Sequence, residues 1–328
     1  MSATQCRVLV VGGAGYIGSH VVKALLRAGF QVTVFDNLSS GLRQNLQPGA
    51  SFIHGDLLIP PQIREACRNI DAVIHLAALK AAGESMVIPD KYAVHNISGT
   101  INLLNEVVAA GINKFIFSST AAVYGDPQYV PIDEKHPTQP ANFYGFTKLE
   151  IERILDWYGR LKNLNHVCLR YFNAAGYDVE GEINGLEQSP ANLLPIVMEA
   201  IVGKREKVMV FGDDYETRDG SCIRDYIHVT DLASGHVRAL EYLLKGQPSL
   251  IVNLGTSQGL TVFEMLKAAR EMSGIDFTVE QAPRRPGDPP VVLATSQKAL
   301  EVLGWSPVHS DVKTLIQTML KAYGFSKR

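Results

Sequence analysis

Long apolar runs are missing from this chain, and none reaches the roughly 18 residues that a helix needs to cross a bilayer, so no membrane association is expected. Cysteine is scarce too. The four present, Cys6, Cys67, Cys168 and Cys222, lie far apart in apolar or mixed segments, with no CxxC pair and no Cys/His cluster. That pattern argues against a disulfide framework and a thiolate metal site. It fits reduced thiols used as small apolar residues, and no metal is expected. Neither sign of charge is in excess: 31 Lys and Arg stand against 33 Asp and Glu, a net charge of −2. A nucleic-acid partner or an anionic membrane surface calls for a basic excess, so neither is expected. The chain has no internal repeat and no low-complexity tract. Its first strand-like run begins near Arg7, which leaves no room for a cleavable leader, and a cytoplasmic location is the expectation.

What the chain does have is a glycine run near its front, Gly12-Gly13-Ala14-Gly15-Tyr16-Ile17-Gly18. It follows the apolar run Val8-Leu9-Val10-Val11 and opens an apolar-periodic segment from Ser19 to Ala28. Strand, glycine turn and helix in that order suit a dinucleotide pyrophosphate. Glycine lets the backbone approach the phosphates, and the helix N-terminus offers unpaired N–H groups and positive dipole. A glycine turn that only tightens a strand–helix junction has the same composition. The second clue is Asp36, which closes the next apolar strand, Val32-Thr33-Val34-Phe35. A carboxylate at that distance accepts from a free ribose 2′-hydroxyl and repels a 2′-phosphate, which selects NAD over NADP. A solvated Asp opening a loop is the alternative.

The 328 residues suffice for one large domain or two modest ones. Strand-like runs fall at 7–11, 31–35, 51–54, 71–75, 113–118 and 165–170, and helical patterns near 16–28, 61–68, 90–110 and 143–161. Short apolar strands alternating with helices predict an α/β fold, a Rossmann-like doubly wound parallel sheet covered on both faces. The rhythm then lapses. A polar, glycine-containing loop spans 176–192. A helix follows Pro195, then come a strand at 208–211 and irregular chain at 212–222. Segments 226–229 and 231–244 look like a return to the sheet. The rest holds a helix at 261–272, a strand near 277–281, a proline-rich loop at 283–290 and a helix at 311–323. The expected division is a dinucleotide-binding unit over 1–175, rejoined by 226–254, and a smaller, partly interleaved substrate unit mainly over 176–328.

Tyr144 and Lys148 form a Tyr-x-x-x-Lys pair, and residues four apart share one helix face. A phenol normally loses its proton near pH 10, roughly. A neighbouring ammonium and a positive nicotinamide ring both favour the phenolate, making tyrosine a usable base toward a hydroxyl whose carbon gives up hydride. Tyr and Lys four apart also occur on plain solvated faces. Here, however, the pair lies beyond Phe115-Ile116-Phe117-Ser118-Ser119-Thr120, an apolar strand ending in three hydroxyls. Catalytic groups in open parallel sheets gather at such carboxyl ends, and Thr120 or Ser118 is placed to relay a proton to Tyr144.

With these residues the sequence resembles the extended short-chain dehydrogenase/reductase family, and within it the enzymes that invert C4 of UDP-hexoses. The motifs that carry the resemblance run in family order over essentially the whole chain. They are GGAGYIG at 12–18, DN at 36–37, GDL at 55–57, HLAALKAAGES at 75–85, FSSTAAVYGD at 117–126, YGFTK at 144–148, RYFNAAG at 170–176, RDYIHVTDLA at 224–233 and RRPGD at 284–288. The resemblance implies NAD-dependent, reversible epimerisation of UDP-glucose and UDP-galactose through a 4-keto sugar, in a homodimer serving galactose metabolism. It implies that Gly12, Gly15, Tyr16, Ile17 and Gly18 cradle the NAD pyrophosphate, that Asp36 and Asn37 meet the adenosine ribose, and that Asp56 and Leu57 hold the adenine. Leu76, Ala77, Ala78 and Lys80 would line the cofactor path, with Lys80 also reaching substrate. Asn96 would face the cofactor, Ser118 and Phe172 the nicotinamide, and Lys148 the nicotinamide ribose. Thr120 and Tyr144 would act at the sugar. Asn173, Asn192, Leu193, Phe211, Arg224, Tyr226, Arg285 and Asp288 would bind the nucleotide sugar. Two separated arginines suit a diphosphate, since each donates a forked pair of bonds.

Two positions depart from the family's habit. Thr120 stands where serine is commoner but keeps the hydroxyl. Val292 stands where a tyrosine blocks N-acetylated sugars, which opens the expectation of a wider pocket that also takes UDP-hexosamines. Among rivals, a nucleotide-sugar 4,6-dehydratase carries an acidic pair after the central threonine, where this chain has Ala121 and Ala122. A sugar-acid decarboxylase is disfavoured on the same ground. A non-catalytic NAD sensor has no need of both Tyr144 and Lys148, and a simple dehydrogenase would consume cofactor stoichiometrically.

Overall fold

The structure is a computed structural model that describes residues 6–188, 190–285 and 288–325. Pro286 and Gly287 of the RRPGD run lie outside the described residues. Six strands appear in order along the first half: β1 (Arg7–Val11), β2 (Gln31–Asp36), β3 (Ser51–His54), β4 (Ala72–His75), β5 (Lys114–Ser118) and β6 (Asn165–Tyr171). Later come β7 (Asn173–Ala175), β8 (Lys207–Phe211), β9 (Ile223–His228) and β10 (Leu250–Leu254), then β11 (Gly259–Thr261), β12 (Thr278–Ala282) and β13 (Val291–Val292). The large sheet has seven strands in the order β10-β6-β5-β4-β1-β2-β3, and every pairing in it is parallel.

Alternation along β1 shows why the sheet is covered on both faces. Val8 and Val10 pack with Val21 and Leu25 of the Tyr16–Arg27 helix and with Leu232 and Leu240 of the Val229–Leu244 helix. Leu9 and Val11 face the other way, into a core with Leu103, Phe115, Phe117, Ile151 and Leu155. That second face is covered by the Gly99–Ala109 and Phe143–Lys162 helices. Strand order reverses at β1, between β2 on one side and β4 on the other. A parallel sheet opens a crevice outside the carboxyl ends of its strands at such a point.

The long helical pattern near 90–110 is not one helix. It comprises Pro89–Tyr92, a π-helical stretch Ala93–Ser98 and the Gly99–Ala109 helix. A π turn carries one extra residue per turn and often marks a functional site. Here it contains buried Asn96, whose amide donates to the Leu79 carbonyl and accepts from the Leu79 N–H. The expected return to the large sheet also splits in two. The Val229–Leu244 helix and β10 do join it, but β9 pairs with β7, β11 and β13 in a separate small sheet. Within the small sheet Asp225 is fully buried in β9 and must be hydrogen-bonded there. It accepts from the backbone and hydroxyl of Thr256 and from the Ala294 N–H. A third core joins the Leu193–Ile201, Val262–Ser273 and Val312–Ala322 helices with β8 and β12.

Four buried histidines couple this packing to pH. Burial pushes His20 and His236 down to about 4 and His75 and His228 down to about 3. Each is held neutral in the fold and titrates at its ordinary value near 6.5 when unfolded. The stability they contribute is therefore complete above about pH 6.5 and is lost as pH falls toward about 4. Each accounts for up to about 1.4 kcal/mol per pH unit in that window. Thermal melts between about pH 7 and pH 5 should show a midpoint that falls on acidification; a midpoint that rises on acidification would contradict this.

Candidate active site

The glycine turn builds the first wall. Gly12 sits at φ +84°, and a Cβ there would lie 2.6 Å from the Ala77 nitrogen; a Cβ on Gly18 would lie 2.0 Å from the Gly12 carbonyl. Glycine at these positions lets strand, turn and helix meet closely. The helix begins at Tyr16 with Gly15 as its N-cap, no side-chain cap and no acidic residue in its first turn. Its first N–H groups and its positive dipole are left open toward the crevice, the arrangement an anionic pyrophosphate needs. Gly12, Gly15, Tyr16, Ile17 and Gly18 all line one cavity of about 510 Å³, within the usual range of ligand clefts, about 300–1,000 Å³. The residues present fit a dinucleotide.

Asp36 stands at the end of β2 with its carboxylate in the cleft wall. One oxygen accepts from the Ala14 N–H at 3.0 Å and the other from the Leu38 N–H at 2.8 Å. These bonds hold the carboxylate against the turn while each oxygen keeps a lone pair for a hydroxyl. Asn37 donates its amide to Asp56 at 2.9 Å, and Asp56 also accepts from the Leu58 N–H at 2.8 Å. Burial pushes the Asp56 carboxyl up, but those two donors outweigh it and leave it below the ordinary range. Asp36, Asn37, Asp56, Leu57, Leu76, Ala77, Ala78 and Lys80 share the cleft. Asn96 does not line it. Its amide is spent on Leu79 and on the Thr147 hydroxyl at 3.1 Å, so it braces the 77–81 loop against the helix that bears Tyr144.

That helix, Phe143–Lys162, starts where the Asn142 side chain accepts from the Gly145 N–H at 2.9 Å. Tyr144 and Lys148 both reach the cleft, as does Thr120 at the exit of β5. Burial acts on the two catalytic candidates in opposite directions. It pushes the Tyr144 phenol up to about 12, eased by a hydrogen bond with Thr120. It pulls Lys148 down to about 7, opposed by the charge of Glu152. Among the described residues the Lys148 ammonium makes no hydrogen bond to the phenol. Its Nζ instead donates to the Ser118 carbonyl at 2.9 Å and sits 4.7 Å from the centre of the Phe117 ring. Ser118 itself lies behind the cleft wall. His236 Nδ1–H donates to the Leu232 carbonyl at 2.8 Å, which leaves Nε2 to accept from the Ser118 hydroxyl at 2.6 Å.

The cleft continues past Phe172, Asn173 and Asn192 into a second cavity of about 280 Å³, which shares Asn173 and Asn192. Leu193, Phe211, Arg224, Tyr226, Arg285 and Asp288 line this part. Arg224 pairs with Asp288 at 2.5 Å, and the Arg285 guanidinium lies 3.8 Å over the centre of the Phe211 ring. Val292 lines neither cavity. It pairs with Arg224 across β13 and β9 and packs on an apolar cluster that includes Tyr124, Leu149 and Phe172.

Sequence reasoning missed several residues here. Glu187, from the 176–192 loop, lines the cleft and forms an ion pair with Lys80 across it. Tyr171, Tyr92 and His95 also line the cleft. Glu152 and Arg170 form a buried pair beneath Lys148. Glu152 had a visible signal, since it extends the Tyr144, Lys148 spacing by another four residues.

Residues 8–255 match the NAD dependent epimerase/dehydratase family. The UDP-glucose 4-epimerase of Rhizobium leguminosarum bv. trifolii is 48% identical over 313 residues, covering 95% of this chain and 95% of that one. The crystal structure of UDP-glucose 4-epimerase from Brucella ovis in complex with NAD is similar with a TM-score of 0.96 at 42% identity, covering 98% of this chain and 100% of that one. That of UDP-glucose 4-epimerase from Bifidobacterium longum in complex with NAD+ and UDP is similar with a TM-score of 0.91 at 37% identity, over 97% and 98% of the two chains.

The Asp36 carboxylate generates a test. Asp36→Ala removes both an acceptor for a 2′-hydroxyl and a repulsion toward a 2′-phosphate, and an orphaned polar partner costs about 1–3 kcal/mol. Fluorescence titration with each dinucleotide should show the preference for NAD over NADP narrowing by about tenfold or more. Equal binding of both by the unmodified protein would contradict the assignment.

Proposed function

The chain belongs to the NAD dependent epimerase/dehydratase family, and we propose on that premise that it interconverts UDP-glucose and UDP-galactose by inverting C4, with NAD as its resident cofactor. One observation carries this reading: Tyr144, Lys148 and Thr120 line the same continuous cleft as the glycine turn, and that cleft runs on to Arg224 and Arg285. The glycine turn, Asp36, Asn37, Asp56 and Leu57 would hold the dinucleotide, which supplies, when bound, the acceptor and donor of the C4 hydride and a positive ring beside Tyr144.

The protein's own residues move the proton and hold the sugar. Tyr144 takes the proton of the 4-hydroxyl, directly or through the Thr120 hydroxyl, as C4 becomes a ketone. Burial alone would leave the phenol too weak an acid to give up its proton. Positive charge from Lys148, one turn along the same helix face, would offset part of that penalty. Arg224 and Arg285 anchor the diphosphate while the 4-keto ring turns about that linkage and offers its other face. Tyr144 then returns the proton to the oxygen, and C4 is inverted. The 4,6-elimination of a dehydratase would need an acid beside Thr120, where Ala121 and Ala122 stand.

The proposal includes a homodimer, a cytoplasmic location and a role in galactose metabolism. Exposed Trp157 and Leu161, one turn apart on the Phe143–Lys162 helix, offer an apolar face for a second copy. Four buried free thiols suit a reducing compartment.

A panel of UDP-sugars incubated with purified protein and no added NAD, with products separated by chromatography, tests the reaction. Epimers at C4 are expected; a 4-keto product with stoichiometric NADH would overturn it. Tyr144→Phe removes one hydroxyl and little volume, and turnover should fall by roughly 10²–10⁴-fold with NAD content unchanged. A variant within a few-fold of the parent would make another group the base.

We propose further that UDP-N-acetylhexosamines are also substrates. Val292 packs on the apolar cluster that includes Phe172, a residue of the cleft wall, so a tyrosine there would press on that wall where a valine does not. Val292→Tyr should suppress turnover of the acetylated sugars by about tenfold or more, the effect of roughly 1–3 kcal/mol of overlap, and spare UDP-galactose. Equal handling of both sugar sets by the variant would remove Val292 as the gate.

A further inference from the structure

Tyr144, Lys148 and Glu152 occupy every fourth position of one helix, so the three share a face. Both Glu152 oxygens are engaged. Oε1 accepts from the Ser119 hydroxyl at 2.5 Å and from Arg170 Nε at 3.0 Å, and Oε2 accepts from Arg170 Nη2 at 2.5 Å. Lys148, Glu152 and Arg170 are 3%, 4% and 4% exposed. Arg170 is fixed in turn, 4.9 Å over the Tyr124 ring, whose hydroxyl donates to Asn253 at 2.6 Å. Burial disfavours the ammonium; Lys148 Nζ bonds to the Ser118 carbonyl, and Glu152, one turn along the same face, acts on it through space, its charge opposing loss of the proton.

Resting on the function proposed above, we propose that Glu152 is a positioning residue for the reaction: held by Arg170, its carboxylate keeps the buried Lys148 ammonium charged and, through Ser119, fixes the strand end that presents the Ser118 carbonyl and the Thr120 hydroxyl. Ser119 lies between the residue whose carbonyl binds Lys148 and the residue whose hydroxyl meets Tyr144. One carboxylate therefore sets both the charge and the geometry of the proton-moving pair.

The groups around Lys148 and Glu152 do not titrate across the neutral range. Burial, with the Lys148 charge behind it, pushes His75 of β4 down to about 3. Tyr144 on the same helix and Tyr124 beyond Arg170 are raised to about 12. Tyr171 and Cys168 of β6 are raised further, and burial lowers His166 of the same strand. Arg170 keeps its proton throughout. The alkaline limb of activity is thus assigned to loss of the Lys148 proton, and the acid limb to protonation of Tyr144, which acts as a base only as phenolate.

The test is Glu152→Gln, which keeps shape and an acceptor for Ser119 but removes the charge. Two readings are taken on the holoenzyme: the pH profile of kcat, and the titration of Lys148 by NMR of lysine labelled at Cε. Loss of a nearby opposite charge lowers a lysine by about one pH unit or more. Both the alkaline limb of kcat and the NMR midpoint should move down by that amount, with activity partly recovered on acidification and NAD content unchanged. Glu152→Asp retains the charge but draws it back from Lys148, so limb and midpoint should both move down by less than in the glutamine variant; should that variant not fold, an aspartate variant with limb and midpoint unmoved overturns the proposal. A folded glutamine variant with an unmoved limb and midpoint overturns the proposal, whatever its rate. If no UDP-sugar is turned over at all, the NMR midpoint still decides the role of Glu152 while the proposed function fails by itself.

Discussion

Lys148 is buried and Tyr144 half-buried one helical turn apart, and the rest of the site depends on how the protein manages that burial. Removing solvent disfavours both charged forms, the ammonium and the phenolate. The fold answers on each side. The Ser118 carbonyl and the Phe117 ring face the ammonium, Glu152 supplies a counter-charge, and Thr120 bonds the phenol. In water such terms would be nearly worthless; in a low-dielectric cleft they decide protonation.

The parallel sheet makes this arrangement possible. β4, β5 and β6 end side by side, so His75, Ser118 and Arg170 arrive beneath the Phe143–Lys162 helix from three strands. The reversal at β1 opens the crevice above them, and the uncapped helix at Tyr16 points into it. The small sheet around β9 then brings Arg224 to the far end of the same cleft. Tyr144 lies on the wall between the dinucleotide end and the diphosphate end.

Much of this was legible in the sequence where a local rule sufficed. The glycine turn declares itself because Gly12 needs positive φ and Gly18 allows no Cβ. The strands of the large sheet are legible because apolar runs buried on both faces have no other home. Tyr144 and Lys148 follow from helical spacing. The support beneath them does not: Ser119, Glu152 and Arg170 come from separate elements, and Ser118 meets His236 across 118 positions of chain. Nor does a helical pattern disclose the π turn that aims Asn96 at Leu79, or the bonds that satisfy buried Asp225 within the small sheet. Each of these depends on pairing polar groups over long sequence distances, which periodicity does not record.

The central claim is that one enclosed site removes the hydrogen from C4 and returns it to the opposite face while Tyr144 handles the hydroxyl proton. UDP-glucose carrying deuterium at C4, incubated with the protein in ordinary water, tests it most directly. The account predicts UDP-galactose that retains deuterium at C4, as read by NMR or mass spectrometry. Product in which that deuterium has exchanged with water would contradict it.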